Sequence, residues 1–330
     1  TGTTNNAFGY ASLHLNTTGD SNNAFGYYAL RNNTIGSYNC AFGEASLRYN
    51  TTGVRNNAFG YKALNSNTIG TDNNAFGYRA LSSNTTGGAN TAVGHVSLIN
   101  NTIGINNNAV GYGSLYANTT GSENNAFGRN ALTANTIGTA NSAFGHQSLQ
   151  DNTTGANNSA FGYYALKANT TGSYNVAIGN RSLKFNTFGY SNTAVGKDAL
   201  LNNTTGINNS AFGFYALKNN TTNQNSAFGY KALTANTIGT QNVAVGFGSL
   251  QSNTTGSYNT GVGLNVLKTN TIGTANSAFG IEALQNNTTG SSNSAFGSNA
   301  LNSNTIGTKN SAFGYQSMFY TTTGSNNSAF

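Results

Sequence analysis

Few residues of this chain are of the types that perform acid–base, nucleophilic or metal chemistry. Among 330 residues there are three His, one Cys and seven Asp or Glu. His95 and His146 occupy the same place in a 17-residue repeat, three repeats apart. If each repeat adds one layer, that separation is roughly 14 Å, because stacked strands lie about 4.8 Å apart. Metal ligands must converge within about 2.3 Å of one ion, so we expect no metal site, cofactor or catalytic centre.

The remaining reactive or charged residues favour no enzyme class either. Cys40 stands where other repeats have Asn, Ser, Thr or Val, and His14 is an isolated residue at a variable position. The glycines recur in every repeat without a G-x-x-x-x-G-K-[ST] sequence, so they predict no phosphate loop. The 14 basic residues are scattered, so the net charge of +7 predicts no nucleic-acid partner. No apolar run approaches the roughly 20 residues of a bilayer span, so this segment predicts no membrane insertion.

Asn-Thr-Thr triplets match the N-glycosylation pattern at several places, four of which are Asn16, Asn50, Asn84 and Asn118. Asn persists at the equivalent Asn33, where Ile35 removes the pattern. This persistence favours a structural role for the Asn, with glycan attachment as the alternative.

These residues belong to a repeat that runs through the whole chain. The consensus is N-(N/S)-A-F-G-Y-x-(A/S)-L-x-x-N-T-(T/I)-G-x-x, and its period is 17 residues except for one step of 16 between Ala211 and Ala227. The unit is rich in Gly, Asn and Thr, and the chain has no Pro, so it is poor helix material but suits a continuous hydrogen-bonded ladder. We predict an all-β, single-chain β-solenoid (β-roll) of about 19 coils over residues 1–330, a segment of a longer array.

Charge indicates which positions of the coil face water, because unpaired charges are almost never buried. Two uncharged apolar columns, represented by Phe8 and Phe25 and by Leu13 and Leu30, are therefore predicted to form the core. Two Asn columns are predicted to form hydrogen-bonded ladders, and they begin with Asn5 and Asn22 and with Asn16 and Asn33. Gly9 and Gly26 predict positive φ or a close backbone approach, as does Gly19, whose column is Gly except at Asn223.

The N-V-A-I-G run at Asn175–Gly179 and the N-V-A-V-G run at Asn242–Gly246 resemble the head repeats of trimeric autotransporter adhesins. The full repeat is also similar to N-T-A-x-G-Y-x-A-L-x-x-N-T-T-G arrays of bacterial surface proteins and phage-type tail fibres. The resemblance implies a left-handed parallel β-roll at the cell surface or outside the cell. It also implies self-association, either as a homotrimer or as an end-to-end or lateral filament.

Three classes of function remain at this point. The first is a non-enzymatic structural protein, a rod, a fibril or the shaft of an adhesin. The second is an ice-binding solenoid, for which the Thr18 column supplies hydroxyl groups but is interrupted by Ile35 and Phe188. The third is a tail-fibre-like protein that binds host or environmental glycans through the Tyr10 column, where exposed rings stack on sugars. Uninterrupted repetition and low charge favour the first class.

Overall fold

The computed structural model describes residues 2–330, and the only regular elements in that range are short parallel β-strands. Each strand contributes two or three residues, one strand to a repeat. The strands are β1 (Asn6–Phe8), β2 (Asn23–Phe25), β3 (Cys40–Phe42), β4 (Asn57–Phe59), β5 (Asn74–Phe76), β6 (Thr91–Val93), β7 (Asn108–Val110), β8 (Asn125–Phe127), β9 (Ser142–Phe144), β10 (Ser159–Phe161), β11 (Val176–Ile178), β12 (Thr193–Val195), β13 (Ser210–Phe212), β14 (Ser226–Phe228), β15 (Val243–Val245), β16 (Thr260–Val262), β17 (Ser277–Phe279), β18 (Ser294–Phe296), β19 (Ser311–Phe313) and β20 (Ser328–Ala329).

The chain is a parallel β-solenoid, as the repeat predicts, and it forms two compact units. One unit comprises the residues up to Tyr164 together with Ala168–Thr171, and the other comprises Ala165–Lys167 and Gly172–Phe330. Within each unit, every strand pairs in parallel with the strand of the next repeat. Equivalent residues face each other, so that Phe8 lies opposite Phe25 and Phe25 opposite Phe42. Each repeat therefore closes one coil, and equivalent side chains form columns.

Hydrogen bonds between coils continue well beyond the strand. Leu13 N–H donates to the carbonyl of Ala29 at 3.0 Å, and Thr17 N–H donates to that of Thr34 at 2.9 Å. The Leu column has a left-handed backbone throughout, with φ of 51° at Leu13 and 49° at Leu30. A non-Gly residue adopts this conformation only where its surroundings over-determine it. Here the surroundings are the neighbouring coils, which hydrogen-bond the turn and enclose the Leu side chain.

The core consists of small side chains and Leu. Leu30 and Ala24 are fully buried, and so are the Ala or Ser residues one position before the Leu in the inner coils, such as Ala29 and Ser46. The prediction that the Leu column is internal is confirmed, and Leu13 itself is half-buried.

The prediction that the Phe column is internal is wrong. Phe8 is 75% exposed and Phe25 is 37% exposed. Successive side chains of a strand point to opposite faces, so burial of Ala24 places Asn23 and Phe25 outside. A coil of 17 residues leaves an interior that holds Ala but not a ring. The Phe side chains do stack on one another, as predicted, but they stack on the outer surface: Phe25 and Phe42 have ring centroids 4.7 Å apart.

The 16-residue coil between Ala211 and Ala227 differs from the prediction in which residue replaces the recurring Gly. Alignment of the repeats by sequence predicts Asn223 in the place of the recurring Gly, in a turn, because Asn is the non-Gly residue that best tolerates left-handed geometry. In the structure Thr222 takes the place of that Gly, because its carbonyl accepts the side-chain amides of Asn209 and Asn220 at 2.6 and 2.8 Å. The left-handed residue is Gln224, with φ of 59°. The deleted residue is therefore the exposed one that precedes the Gly in other coils.

The inside–outside assignment is tested by placing a carboxylate on each side of β8. We expect Ala126→Asp to destabilise the fold by several kcal/mol, because it buries an unpaired charge. We expect Phe127→Asp, one residue along the strand, to stay folded because the carboxylate reaches water. Circular dichroism melts and limited proteolysis of both variants measure the difference. If Phe127→Asp were the more disruptive variant, the assignment would be reversed.

Candidate functional site

Among residues 2–330, the structure brings no three His, Cys, Asp or Glu side chains together as a metal site, and no ligand-sized cavity opens. His95 lies between the rings of Tyr78 and Tyr112, with centroids 4.9 and 5.3 Å away. His146 stacks on Tyr163 at 5.4 Å. Cys40 is a free thiol on the outer face of β3. The repeated feature that does converge in every coil is a set of Asn side chains.

The column that begins with Asn16 and Asn33 forms the first ladder. Asn33 Nδ2 donates to Asn16 Oδ1 in the preceding coil at 2.8 Å and to the carbonyl of Gly36 in its own coil at 2.8 Å. Asn50 repeats the pattern on Asn33 and Gly53. Both amide hydrogens are thus used, one between coils and one within a coil. The predicted ladder is confirmed for this column.

The column that begins with Asn5 and Asn22 forms the second ladder. The backbone N–H of Asn22 donates to Asn5 Oδ1 at 2.8 Å, and Asn22 Nδ2 donates to the carbonyl of Gly36 at 2.8 Å. Gly36 therefore accepts from both ladders. Because Asn22 begins the coil and Asn33 and Gly36 end it, this shared acceptor closes the loop of backbone. The first coil has the same arrangement, in which Gly19 accepts from Asn5 at 2.8 Å and from Asn16 at 3.0 Å.

Two kinds of Gly are required, for different reasons. Gly9 and Gly26 have φ of 130° and 138°, a backbone that L-residues rarely adopt. Gly36 is outside the left-handed region, but a Cβ there would lie 2.5 Å from Asn33 Oδ1 and 2.4 Å from the carbonyl oxygen of Gly53. The Gly19 column is therefore Gly because the ladders leave no room for a side chain.

The candidate glycosylation sites lie in the first ladder. Asn50, Asn84 and Asn118 are fully buried, and Asn16 is half-buried. Asn16 Nδ2 donates to the carbonyl of Gly19 at 3.0 Å. At the three buried residues the nitrogen that would carry a glycan already donates both of its hydrogens, as Asn118 Nδ2 does to Asn101 Oδ1 at 2.8 Å and to Gly121 at 2.9 Å. A glycan at these nitrogens is incompatible with this fold.

A Thr column that the sequence analysis missed lies between the ladders and the solvent. It begins with Thr17 and Thr34 and contains Thr in every repeat that has this position. Thr34 Oγ1 donates to the carbonyl of Thr51 in the next coil at 3.0 Å, and Thr119 Oγ1 donates to that of Thr136 at 3.1 Å. The signal was available, because this column never varies whereas the adjacent Thr18 column alternates with Ile. These hydroxyls are part of the bonding between coils.

Two Arg residues form ion pairs with an Asp of the neighbouring coil. Arg55 holds Asp72 through two bonds of 2.6 and 2.9 Å, and Arg181 holds Asp198 at 2.7 and 2.8 Å. The bonds from Arg55 lower the pKa of Asp72. Bonds from the backbone and hydroxyl of Thr3 lower the pKa of Asp20. These carboxylates are held ionised, which suits an ion pair rather than an acid catalyst.

The outer surface carries two aromatic columns. In the Phe column, Phe42, Phe59 and Phe76 stack with centroids 4.9 Å apart and planes within 8°. In the Tyr10 column, Tyr61 and Tyr78 stack at 5.3 Å and 15°. The faces of these rings are turned toward one another. A sugar inserted between two rings would need about 7 Å, twice the contact distance of about 3.5 Å between carbons.

The contribution of the first ladder to the stability of the fold is tested with Asn118→Ala. We expect a loss of about 1–3 kcal/mol, because the change leaves Asn101 Oδ1 without its donor and removes the acceptor of Asn135 Nδ2, 2.8 Å away. Amide hydrogen exchange should rise in the coils on either side. Thr120→Ala, at the exposed position two residues later, is the matched control and should leave exchange unchanged. Equal exchange in both variants would contradict a stabilising ladder.

The pH dependence of stability follows from the pKa directions. The pKa values of Asp20 and Asp72 lie below the usual 3.8. The stability that the two carboxylates contribute is therefore fully present above pH 3.8 and is lost as pH falls through the lowered pKa. Hydrogen bonds between Tyr27 and Tyr28 and between Tyr163 and Tyr164 raise the pKa of Tyr27 and Tyr163 above 10.0. Their contribution is present below pH 10 and is lost as pH rises further. We expect a constant melting temperature between about pH 5 and pH 9.

The acid decrease should be small and should shrink in about 0.5 M salt, because these carboxylates are exposed and screened. Melting curves at one-unit pH steps measure it. A sharp transition between pH 5 and pH 9 would show that a titratable group supports the core.

Residues 2–330 include no helix that has both the length and the apolar character of a membrane span. No protein-family model matches the chain, and no curated protein matches it significantly. The inference of function therefore depends on the geometry of the columns and on the resemblance carried by the repeat.

Proposed function

We propose that this chain is a non-enzymatic, extracellular structural protein that forms a rod, a fibril or the shaft of a cell-surface adhesin. The observation that carries the proposal is the backbone carbonyl that accepts two side-chain hydrogen bonds. Gly36 is one example, and the arrangement recurs coil after coil. It ties each coil to itself, and through the Asn side chains to its neighbours. A chain whose polar side chains form the same internal hydrogen bonds in repeat after repeat is suited to a rigid scaffold.

The use of the polar residues supports this proposal over an enzyme. Side chains that commonly recognise substrates are committed to the scaffold, as Asn33 and Thr34 are to bonds between coils. Arg55 and Arg181 are likewise committed to ion pairs with Asp72 and Asp198 of the neighbouring coils. Catalysis needs a nucleophile, a base and an orienting group within hydrogen-bond reach of one point, and one side chain per position per coil separates such groups.

The extracellular or cell-surface location follows from the resemblance to bacterial surface arrays. The same resemblance supports self-association as the mode of partnership, with host or environmental glycans as further partners.

Two alternatives have less support. For ice binding, the invariant Thr17 column donates its hydroxyls to neighbouring carbonyls, and the exposed Thr18 column presents a hydroxyl in about every second coil because Ile35 and Ile69 interrupt it. For sugar binding, the rings of the Tyr10 column turn their faces to each other, as Tyr61 and Tyr78 do. Sugar recognition by aromatic residues relies on an open ring face.

The location is tested by immunogold electron microscopy with an antibody against the purified chain, on intact cells that produce it. We expect label on filaments or on the outer surface, without permeabilisation. Antibody absorbed with the purified chain is the control. Label that appears only after permeabilisation would contradict an extracellular scaffold.

A further inference from the structure

We propose that the Phe column is a lateral interface with a second copy of this chain. The inference rests on the proposed scaffold function and adds which surface associates and with what. The Phe column is defined here as the outward residue that ends each three-residue strand. In the first unit its members are Phe8, Phe25, Phe42, Phe59, Phe76, Val93, Val110, Phe127, Phe144 and Phe161.

The exposed area of this column is large enough for a stable contact. Phe76, Phe127 and Phe161 are each about two-fifths exposed. With about 200 Å² per aromatic side chain, the five Phe of the first unit that are more than a third exposed (Phe8, Phe25, Phe76, Phe127 and Phe161) expose about 460 Å². The flanking Tyr27, Tyr78 and Tyr163 raise the total to about 740 Å², close to the roughly 800 Å² per partner in a standard interface. The Phe column alone is comparable to the largest apolar patch on a typical monomer, about 300–600 Å², and such patches are often functional.

A second column shows how the same chain treats an exposed apolar position that stays in water. The Thr18 column carries Ile69, Ile103 and Ile137, each more than half exposed, but a Thr separates each Ile from the next. That alternation prevents a continuous apolar ridge. In the Phe column no polar residue intervenes, because every substitution is Val or Ile. The contrast favours the Phe column as the covered surface.

The period of the column favours an identical partner. Its rings recur every 4.7–4.9 Å along the stack from Phe25 to Phe76. A surface with the same period can meet every ring with an equivalent ring or with the space between two rings, as in a dry interface between stacked sheets. A globular partner with a different surface would match a few rings at most. A second copy supplies the matching period by construction.

Charge is also compatible with two identical surfaces. The four positions from the strand to the following Gly carry no charged residue in any repeat; Cys40–Gly43 is one example. The chain as a whole has a net charge of +7, so identical copies repel elsewhere. At this column they meet without opposed like charges, which would otherwise cost several kcal/mol.

The test is the oligomeric state of the full chain by analytical ultracentrifugation from about 1 to 100 µM. We expect the wild type to associate. Replacing Phe42, Phe59 and Phe76 together by Thr, which suits a strand, should weaken association about 100-fold or more, because truncating central aromatic anchors has the largest effects at interfaces. The matched control replaces Ile69, Ile103 and Ile137 by Thr, the residue that alternates with them, and should associate as the wild type does.

A second measurement does not depend on the variant's folding. Cys40 is the one thiol of the chain, and it lies on the outer face of β3 two residues before Phe42. Its modification by a maleimide should slow several-fold as wild-type concentration rises through the association range. A wild-type chain that stays monomeric overturns the interface, as does an unchanged Cys40 rate across association or equal dissociation of both triple variants. None of these results bears on the cell-surface location tested by immunogold labelling, so the two proposals fail independently.

Discussion

One carbonyl oxygen accepts hydrogen bonds from two Asn side chains in coil after coil, up to the last, where Thr321 replaces one of the two Asn residues, and the rest of the structure depends on this acceptor. In the second coil it belongs to Gly36, and the donors are Asn22 and Asn33. The first donor lies at the start of the coil and the second near its end, so the bonds close the loop. The Asn side-chain oxygens then accept from the next coil, which fixes the register. A Cβ at Gly36 would collide with this arrangement, so the ladder also determines where Gly must occur.

The ladder also determines what remains for the interior. Buried Asn columns occupy one side of a narrow coil, and the space left holds Ala24 and Leu30 but no aromatic ring. The solenoid thus reverses the usual arrangement, with amides inside and Phe outside. Buried amides cost free energy unless they are bonded, and here the ladder Asn side chains bond to equivalent Asn side chains in neighbouring coils. The exceptions are Asn203 Oδ1, at the shortened, 16-residue coil, and Asn304 Oδ1, where Thr321 replaces the next Asn; both are buried without a partner. The same bonds recur in the other coils, which is why the repeat tolerates so little variation at these positions.

Placing the rings outside has a consequence for function. The outer Phe column, in which Val or Ile replaces Phe in some coils, is an apolar surface of regular period. It is the surface that we propose associates in register with a second copy. The Thr and Ile alternation of the Thr18 column and the paired charges of Arg55 and Asp72 leave other positions less adhesive. In the proposed scaffold, rigidity would come from the interior and contact from the exterior.

The sequence by itself determined the architecture. A period of 17 with fixed Asn, Gly and Leu predicted stacked coils, two Asn ladders and a Leu core, because in-register stacking multiplies any favourable contact by the number of coils. It did not determine which side of the strand faces inward. Neither the Ala7 nor the Phe8 column carries a charge, so charge does not distinguish them, and hydrophobicity favoured Phe8 for the core. Only the tertiary structure showed that the Ala column faces the interior, because the width of the closed coil sets the largest side chain that fits inside. It also decided that Thr17 bonds between coils and that Leu30 has a left-handed backbone, since both depend on where the next coil places its carbonyls.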